Sequence, residues 1–263
     1  APRWSPHMPK PQSQIHFTPK RVENNFVGEV VYFPSCINRT MGGDSKSPQQ
    51  KSLLSLTEQL IIKAGFNIQY PQQIEDLCCG LSFDSKGLKN TAMKKSKQLE
   101  QALMVASKDG KLPILCDMSP CLLHMKEILN SNLTLVDPIE FSLNYLVPNL
   151  QIKKQPDTIV LHTTCSAKKM ALENDFLRLA HYCAENVILL DTNCCGFAGD
   201  KGFTTPELNQ HGLKIIRHQI PSSVKKGYST SRTCEIGLSE KGGIPFQSIL
   251  YLLDEVSEKK STL

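Results

Sequence analysis

Ten cysteines are spread over the 263 residues, and eight of them fall into a repeated order. The first half carries Cys36, then Cys78-Cys79-Gly80, then Cys121; the second carries Cys165, then Cys194-Cys195-Gly196, then Cys234. Matching positions are offset by 129 (165 − 36), 116 (194 − 78) and 113 (234 − 121), differences that loop insertions account for. The pattern reads as an internal duplication. Four thiols per half can serve an iron-sulfur cluster, a zinc ion or a redox dithiol. A single tetrahedral zinc ion is usually wrapped by cysteines two to four residues apart. Adjacent cysteines in extended backbone point to opposite sides, so both reach one small ion only with strain. A cluster with several iron corners accepts neighbouring thiolates, and four cysteines match the ligand count of a [4Fe-4S] centre. Iron-sulfur is therefore the leading expectation, with one or two clusters, and zinc is the alternative. Gly80 and Gly196 let the backbone turn sharply and come close to a bulky group.

These residues need elements that bring them together. Val30 to Ser35, Pro113 to Asp117, Thr158 to Thr164 and Val187 to Asn193 read as buried strands ending near a cysteine. Helical patterns run over Ser47 to Ala64, Lys86 to Lys108, Pro120 to Leu129, Ala167 to Ala184, Pro206 to Gln219 and Phe246 to Val256. The alternation predicts an α/β fold of two pseudo-symmetric repeats, each a small, mainly parallel sheet flanked by helices. The expected divisions are an extended N-terminal linker over 1–26, a first repeat over 27–150 and a second over 151–263. Loops that follow parallel strands collect at the carboxyl edge of the sheet, where the cysteines would meet. The helices behind them would aim their amino ends at the thiols and favour thiolate.

Composition narrows the function. A hydrophobic fraction of 40%, a charged fraction of 21% and a formal charge of +5 describe a globular chain and exclude disorder. The positive charge is mild and lacks aromatic-basic clustering, so nucleic acid is not an expected partner. The dense basic stretch Lys86 to Lys97 reads as a solvated face, with partner docking as its alternative. No run is apolar enough to span a bilayer, and Pro and charge stand where a secretory signal would be apolar. The expectation is a reducing, cytoplasmic location, with attachment at the inner face of a membrane as its extension.

The duplicated Cys, Cys-Cys-Gly, Cys order resembles the cysteine-rich CCG domain found twice in the B subunit of heterodisulfide reductase. It occurs also in the iron-sulfur subunits of glycolate oxidase and anaerobic glycerol-3-phosphate dehydrogenase, and in lactate-utilisation proteins. Two stretches, Cys194-Cys-Gly-Phe-Ala-Gly-Asp-Lys-Gly-Phe203 and Ser231-Arg-Thr-Cys-Glu-Ile-Gly237, are similar to the C-terminal part of FAD-linked D-lactate dehydrogenases. Trp4 to Pro9 is similar to the linker that follows the ferredoxin-like region there. The resemblance implies an electron-transfer module of a flavin-linked 2-hydroxy-acid dehydrogenase of D-lactate or glycolate type. FAD and ferredoxin-like centres would lie on another domain or subunit, and a quinone or cytochrome would accept the electrons. Cys36, Cys78, Cys79, Cys121, Cys165, Cys194, Cys195 and Cys234 would be the ligands. A zinc-bound or metal-free docking module and heterodisulfide-reductase-like thiol chemistry are the alternatives. The chain departs from the full motif, which ends in C-x-x-C: Met118 and Ser231 replace the first cysteine of that pair.

Beside these stand residues with a plainer explanation. Cys116 and Cys183 read as core residues. His162 reads as a satisfied structural histidine, with a hydrogen bond to a cluster sulfur or a proton relay as its alternative. His211 and His218, seven apart on one helix, read as packing or surface groups, and Lys168 and Lys169 as solvated, with screening of cluster charge or reception of a partner as their alternative. Asp200, Lys201 and Arg232 are expected to line the second site, Arg232 as a cation near thiolates. Asp137-Pro-Ile-Glu-Phe141 also resembles the family, and Asp137 before Pro138 reads equally well as a helix start.

Overall fold

The computed structural model describes residues 5–45, 50–130 and 132–260. Ser47, the expected start of the first helix, and Trp4 lie outside them. Two four-stranded parallel sheets dominate, with the same strand order. In the first, β1 (Gly28–Phe33) pairs on one side with β2 (Phe66–Gln69) and on the other with β3 (Ile114–Cys116), which pairs with β4 (Leu135–Val136). A short antiparallel pair joins β5 (Leu150–Ile152) to the C-terminal β10 (Ser257–Lys259). In the second large sheet, β6 (Gln155–Leu161) sits between β7 (Ala184–Leu189) and β8 (Gly227–Ser229), and β8 pairs with β9 (Phe246–Ser248). The duplication read from the cysteines is thus repeated in topology.

The helices are α1 (Cys36–Thr40), α2 (Leu53–Lys63), α3 (Leu81–Asp84), α4 (Lys89–Ala106), α5 (Ser119–Ile128) and α6 (Pro138–Phe141) in the first half. The second half has α7 (Cys165–Lys169), α8 (Glu173–Cys183), α9 (Lys201–Thr204), α10 (Pro206–Gly212), α11 (Ile216–Gln219), α12 (Arg232–Gly242) and α13 (Ile249–Glu255). Strand alternation decides which layer each residue joins. Val30 and Tyr32 of β1, with Ile159 and Leu161 of β6, enter one central core shared with α2, α8 and α13. Val31 and Phe33 face an outer core with Leu99, Leu103 and Leu122. Val160 faces the opposite outer core with Ile216, Ile236 and Leu238. A middle layer of helices therefore serves both sheets. The N-terminal segment is a strap that touches both halves. Ser5 Oγ donates to Glu240 at 3.3 Å, Met8 packs on the second outer core, and Lys20 bridges to Ile68 on edge strand β2. Covering that edge removes a row of unpaired backbone groups.

Three expected helices differ. The pattern Ala167 to Ala184 breaks into α7 and α8 at Ala171, whose φ is 58°. Pro206 to Gln219 breaks after Gly212, so His211 and His218 do not share one helix. Phe246 to Ser248 is β9, and α13 begins only at Ile249, capped by Ser248. Three-residue strands such as β8 and β9 carry too short a period to be read in sequence.

Candidate metal centre

Each half gathers its four thiols at the carboxyl end of its parallel sheet. Cys36 opens α1 directly after β1, and Cys165 opens α7 directly after β6, where the Thr164 side chain accepts the Ala167 N–H. Cys121 and Cys234 lie in the first turns of α5 and α12. The Cys-Cys pairs sit on the loops after β2 and β7. Gly80 and Gly196 follow at φ 89° and 68°, in the left-handed region that favours glycine. A Cβ there would lie 2.8 Å from the Ala92 carbonyl oxygen and 2.2 Å from that of Leu208, so both turns are clamped under a helix.

The sulfurs form the same sequence of contacts in both halves. Side-chain hydrogen bonds link Cys36 with Cys78, Cys78 with Cys79, and Cys79 with Cys121. Equivalent bonds link Cys165 with Cys194, Cys194 with Cys195, and Cys195 with Cys234, the last at 2.8 Å between sulfurs. All ten cysteines are free thiols, and Cys36 and Cys194 are exposed while Cys79, Cys121, Cys195 and Cys234 are buried. Each pocket therefore has an open end and a closed end.

Charge is placed on the leading cysteine of each adjacent pair. The Cys36 thiol, then the Cys79 thiol and the Gly80 N–H at 3.4 Å, hold Cys78 down to about 2. The Cys165 thiol, then Cys195 and the Gly196 N–H at 3.3 Å, hold Cys194 down to about 2. Their neighbours move up: Cys36 and Cys165 by donating to those sulfurs, Cys79 and Cys195 by contact with two further thiols and by burial. Four soft donors sharing protons match the chemistry of a thiolate-ligated centre, whose binding displaces those protons. Two thiolates on one tetrahedral zinc would stand about 3.8 Å apart, given Zn–S bonds of about 2.3 Å, so the Cys195–Cys234 pair must open to hold an ion. Among the described residues no three His, Cys, Asp or Glu side chains stand in a single-ion arrangement.

Of the other expected residues, Cys116 and Cys183 are fully buried core groups, as read from sequence. Arg232 is buried too, and its guanidinium goes to Gly42 O and Glu235, not to a sulfur. Asp200 is exposed and pairs with Lys86 across the two halves at 2.6 Å; Lys201 is exposed beside it. The cation beside the first thiols is instead Arg39, which donates to Ile74 O and Leu77 O and draws Cys36 and Cys78 toward thiolate. Lys168 stands three residues after Cys165 as Arg39 does after Cys36, and donates to Thr192 O at 3.0 Å. Sequence reading missed Arg39; its signal was a basic residue at the same spacing from both leading cysteines. It missed Asp117 as well, a buried carboxylate accepting from Tyr32 Oη and the Ser35 N–H, both at 2.8 Å.

The two halves meet around Met118 and Ser231. Met118 and Ser231 are the N-caps of α5 and α12, and the Arg232 N–H approaches Met118 Sδ at 3.3 Å. Ser119 bonds across this seam to Thr230, and Thr230 to Thr164. Asp137 caps α6 with a full capping box, and burial raises its carboxyl to about 6.

His162, the residue just past β6, matches Phe33, the last residue of β1, at the 129-residue offset of Cys165 from Cys36. Its Nδ1 lies 3.3 Å from Ser229 Oγ, while the buried Nε2 has no partner. The structure thus satisfies one of its two ring nitrogens. Burial, then Lys168, hold the imidazole down to about 4. Between about 6.5 and 4 the unfolded chain binds a proton that the folded chain refuses, so stability falls as pH falls through that window. His162→Phe should remove this loss, and the variant should gain up to about 3 kcal/mol on wild type between pH 7 and pH 4. Urea unfolding at both pH values measures it; an unchanged difference would show that His162 does not stay neutral in the fold. Glu235, raised by burial to about 7, acts in the opposite direction, its contribution being lost as pH rises between about 4.5 and 7. Only the variant-minus-wild-type difference isolates the histidine.

The sequence model of the cysteine-rich domain CCG matches residues 30–126. That stretch of the first half is therefore similar to a CCG cysteine-rich domain. The second half presents the CCG order of thiols on the same strand order, although the match itself covers the first. The C subunit of the anaerobic glycerol-3-phosphate dehydrogenase of Escherichia coli strain K12 is 28% identical over 176 residues, 61% of this chain and 44% of that protein. Its counterpart in Escherichia coli O157:H7 gives the same figures. The chain thus spans less than half the length of the curated relatives it matches. Picrophilus torridus aspartate racemase superposes with a TM-score of 0.40 and 10% identity, covering 89% of this chain and 96% of that one, a likeness too slight to carry fold or function. No helix among the described residues is long and apolar enough to cross a membrane.

Proposed function

We propose that the chain is an iron-sulfur electron-transfer module of a flavin-linked dehydrogenase, built from two CCG repeats over 27–150 and 151–263. The observation that carries this reading is the identical order of sulfur contacts in both halves, 36-78-79-121 and 165-194-195-234. Those eight cysteines would hold one or two [4Fe-4S] or related clusters, and a bound cluster would supply single-electron storage. The chain's own residues prepare the pockets. Gly80 and Gly196 donate N–H groups to the leading sulfurs, Arg39 offsets charge in the first pocket, and the burial of Cys79, Cys121, Cys195 and Cys234 keeps water from the inner side. Asp200 and Lys201 stand at the rim of the second pocket, with Asp200 tied to the first half by Lys86.

Similarity to the D-lactate and glycolate systems in Cys194–Phe203 and Ser231–Gly237 supports a 2-hydroxy acid as the substrate oxidised at the flavin. The match to a glycerol-3-phosphate dehydrogenase favours a second reading, in which the same module serves a polyol phosphate. In either case FAD and ferredoxin-like centres belong to another domain or subunit, with a quinone or cytochrome as acceptor and a cytoplasmic or membrane-peripheral setting. Protein prepared without oxygen should be brown, contain iron and acid-labile sulfide in near-equal amounts and give an EPR signal on reduction. Colourless protein with stoichiometric zinc would establish the structural reading instead.

A further inference from the structure

The first Cys-Cys-Gly turn is covered by α4 and the second by α10 in the same way. Ala92 O lies over Gly80 and Leu208 O over Gly196, and 208 − 92 gives the offset of 116 that also separates Cys78 from Cys194. The inner sides do equivalent work: Ser96 Oγ donates to Cys79 O at 3.1 Å, and Asn209 Nδ2 to Cys195 O at 2.7 Å. The outer sides differ. Around α4 stand Lys86, Lys89, Lys94, Lys95 and Lys97, whereas the residues at the same offset are Gly202, Thr205, Gln210, His211 and Leu213. The fold therefore does not require the lysines.

Helical spacing places Lys89 and Lys97 one turn to either side of Met93, with Lys94 adjacent. Met93 is 52% exposed and Leu88 53%. Lys86 and Lys89 are ion-paired with Asp200 and Asp84, but among the described residues Lys94 and Lys97 have no ion-pair partner. An apolar centre inside a cationic ring, one helix diameter of about 10 Å from the Cys79 backbone, has the make-up of an electron-transfer contact. We propose that this outer face of α4 with the preceding Lys86–Lys89 turn docks an acidic electron-carrier protein, placed to exchange single electrons with a cluster that Cys36, Cys78, Cys79 and Cys121 would hold. Charge complementarity selects the partner, and Met93 and Leu88 supply the desolvated middle of the contact. The inference rests on the electron-transfer reading above and adds to it the entry face and the sign of the partner.

The test uses the full chain and, as probe, an acidic plant-type [2Fe-2S] ferredoxin, with binding followed by calorimetry at low and at near-physiological salt. Wild type should bind at low salt and weaken at least tenfold as salt rises. Lys94→Glu with Lys97→Glu should weaken low-salt binding at least tenfold, and Met93→Ala severalfold. Lys214→Glu with Lys225→Glu, exposed on the second half away from both the pocket rim and the Lys86 pair, should leave binding unchanged. Absence of low-salt binding, equal loss from both charge reversals, or competition by anionic vesicles as effective as by ferredoxin would overturn the proposal. Binding needs no metal, so it can stand in protein that holds no iron, which would sink the electron-transfer reading alone. Conversely, iron-loaded protein whose ferredoxin binding ignores Lys94 and Lys97 would sink the docking face alone.

Discussion

Cys195→Ser should strip the second pocket of metal while leaving the first intact. Cys195 is buried and lies between Cys194 and Cys234, so its sulfur is the link through which the inner and outer thiols of that pocket connect. Serine offers a harder, less acidic donor, and the three remaining sulfurs cannot complete a four-thiolate shell. After anaerobic reconstitution the variant should carry about half the wild-type iron and sulfide if both pockets load. Cys79→Ser should do the same through the first pocket, and the double variant should carry none. If only one pocket loads, one single variant should lose everything and the other nothing. Cys183→Ala is the necessary contrast, because Cys183 is equally buried but lies in the central core among Phe176, Leu179 and Ala180. It should keep full iron and lose about 1–3 kcal/mol of stability through the cavity left behind. Equal iron loss from Cys183→Ala and Cys195→Ser would remove the ligand assignment.

A second large effect is expected at glycine. In Gly196→Ala the new Cβ would meet Leu208 O at 2.2 Å and the Leu208 carbonyl carbon at 2.6 Å, both backbone atoms of the helix that clamps the turn. The φ of 68° adds about 1–2 kcal/mol for a residue with a side chain. Relief requires shifting α10 or the Cys-Cys turn, so a total loss of about 4 kcal/mol or more is expected, together with loss of second-pocket metal. Gly87→Ala separates the two causes, since its φ is 78° but nothing lies within 4 Å of the added atom. That variant should lose only about 1–2 kcal/mol. Denaturant unfolding of the pair measures both, and similar losses would show that the clamp yields cheaply.

Much of this arrangement was legible in the sequence because thiols are rare and their order repeats. β1, β3, β6 and β7 announced themselves as β-branched runs, and a parallel sheet puts every following loop at one edge. Convergence of Cys36 and Cys121, and of Cys165 with Cys194 and Cys195, followed from that rule without any knowledge of distance, whereas β2, the four-residue strand that brings Cys78 and Cys79 to the same edge, was not among the strands read. What was hidden has physical reasons. β8 and β9 are three residues each, and Phe246 to Ser248 looks helical because the apolar run continues into α13. The break at Ala171 depends on a left-handed residue that is not glycine. Arg232 was expected beside the thiols because it is close to Cys234 in sequence, but as the first residue of α12 it turns its side chain toward Gly42 and Glu235. Arg39 fills the role instead, three residues from Cys36.

The helical layer that both sheets share has a consequence for how the molecule can be taken apart. Each half alone would leave one broad greasy slab facing water: Leu54, Leu60 and Ile61 on one side of the cut, Leu250, Leu252 and Leu253 on the other. The strap from Ser5 to Lys20 and the Lys63–Asp254 pair stitch the same boundary. A gene divided between the repeats should therefore yield two insoluble polypeptides that recover only when refolded together, so ancestry by duplication does not here confer independence on the copies.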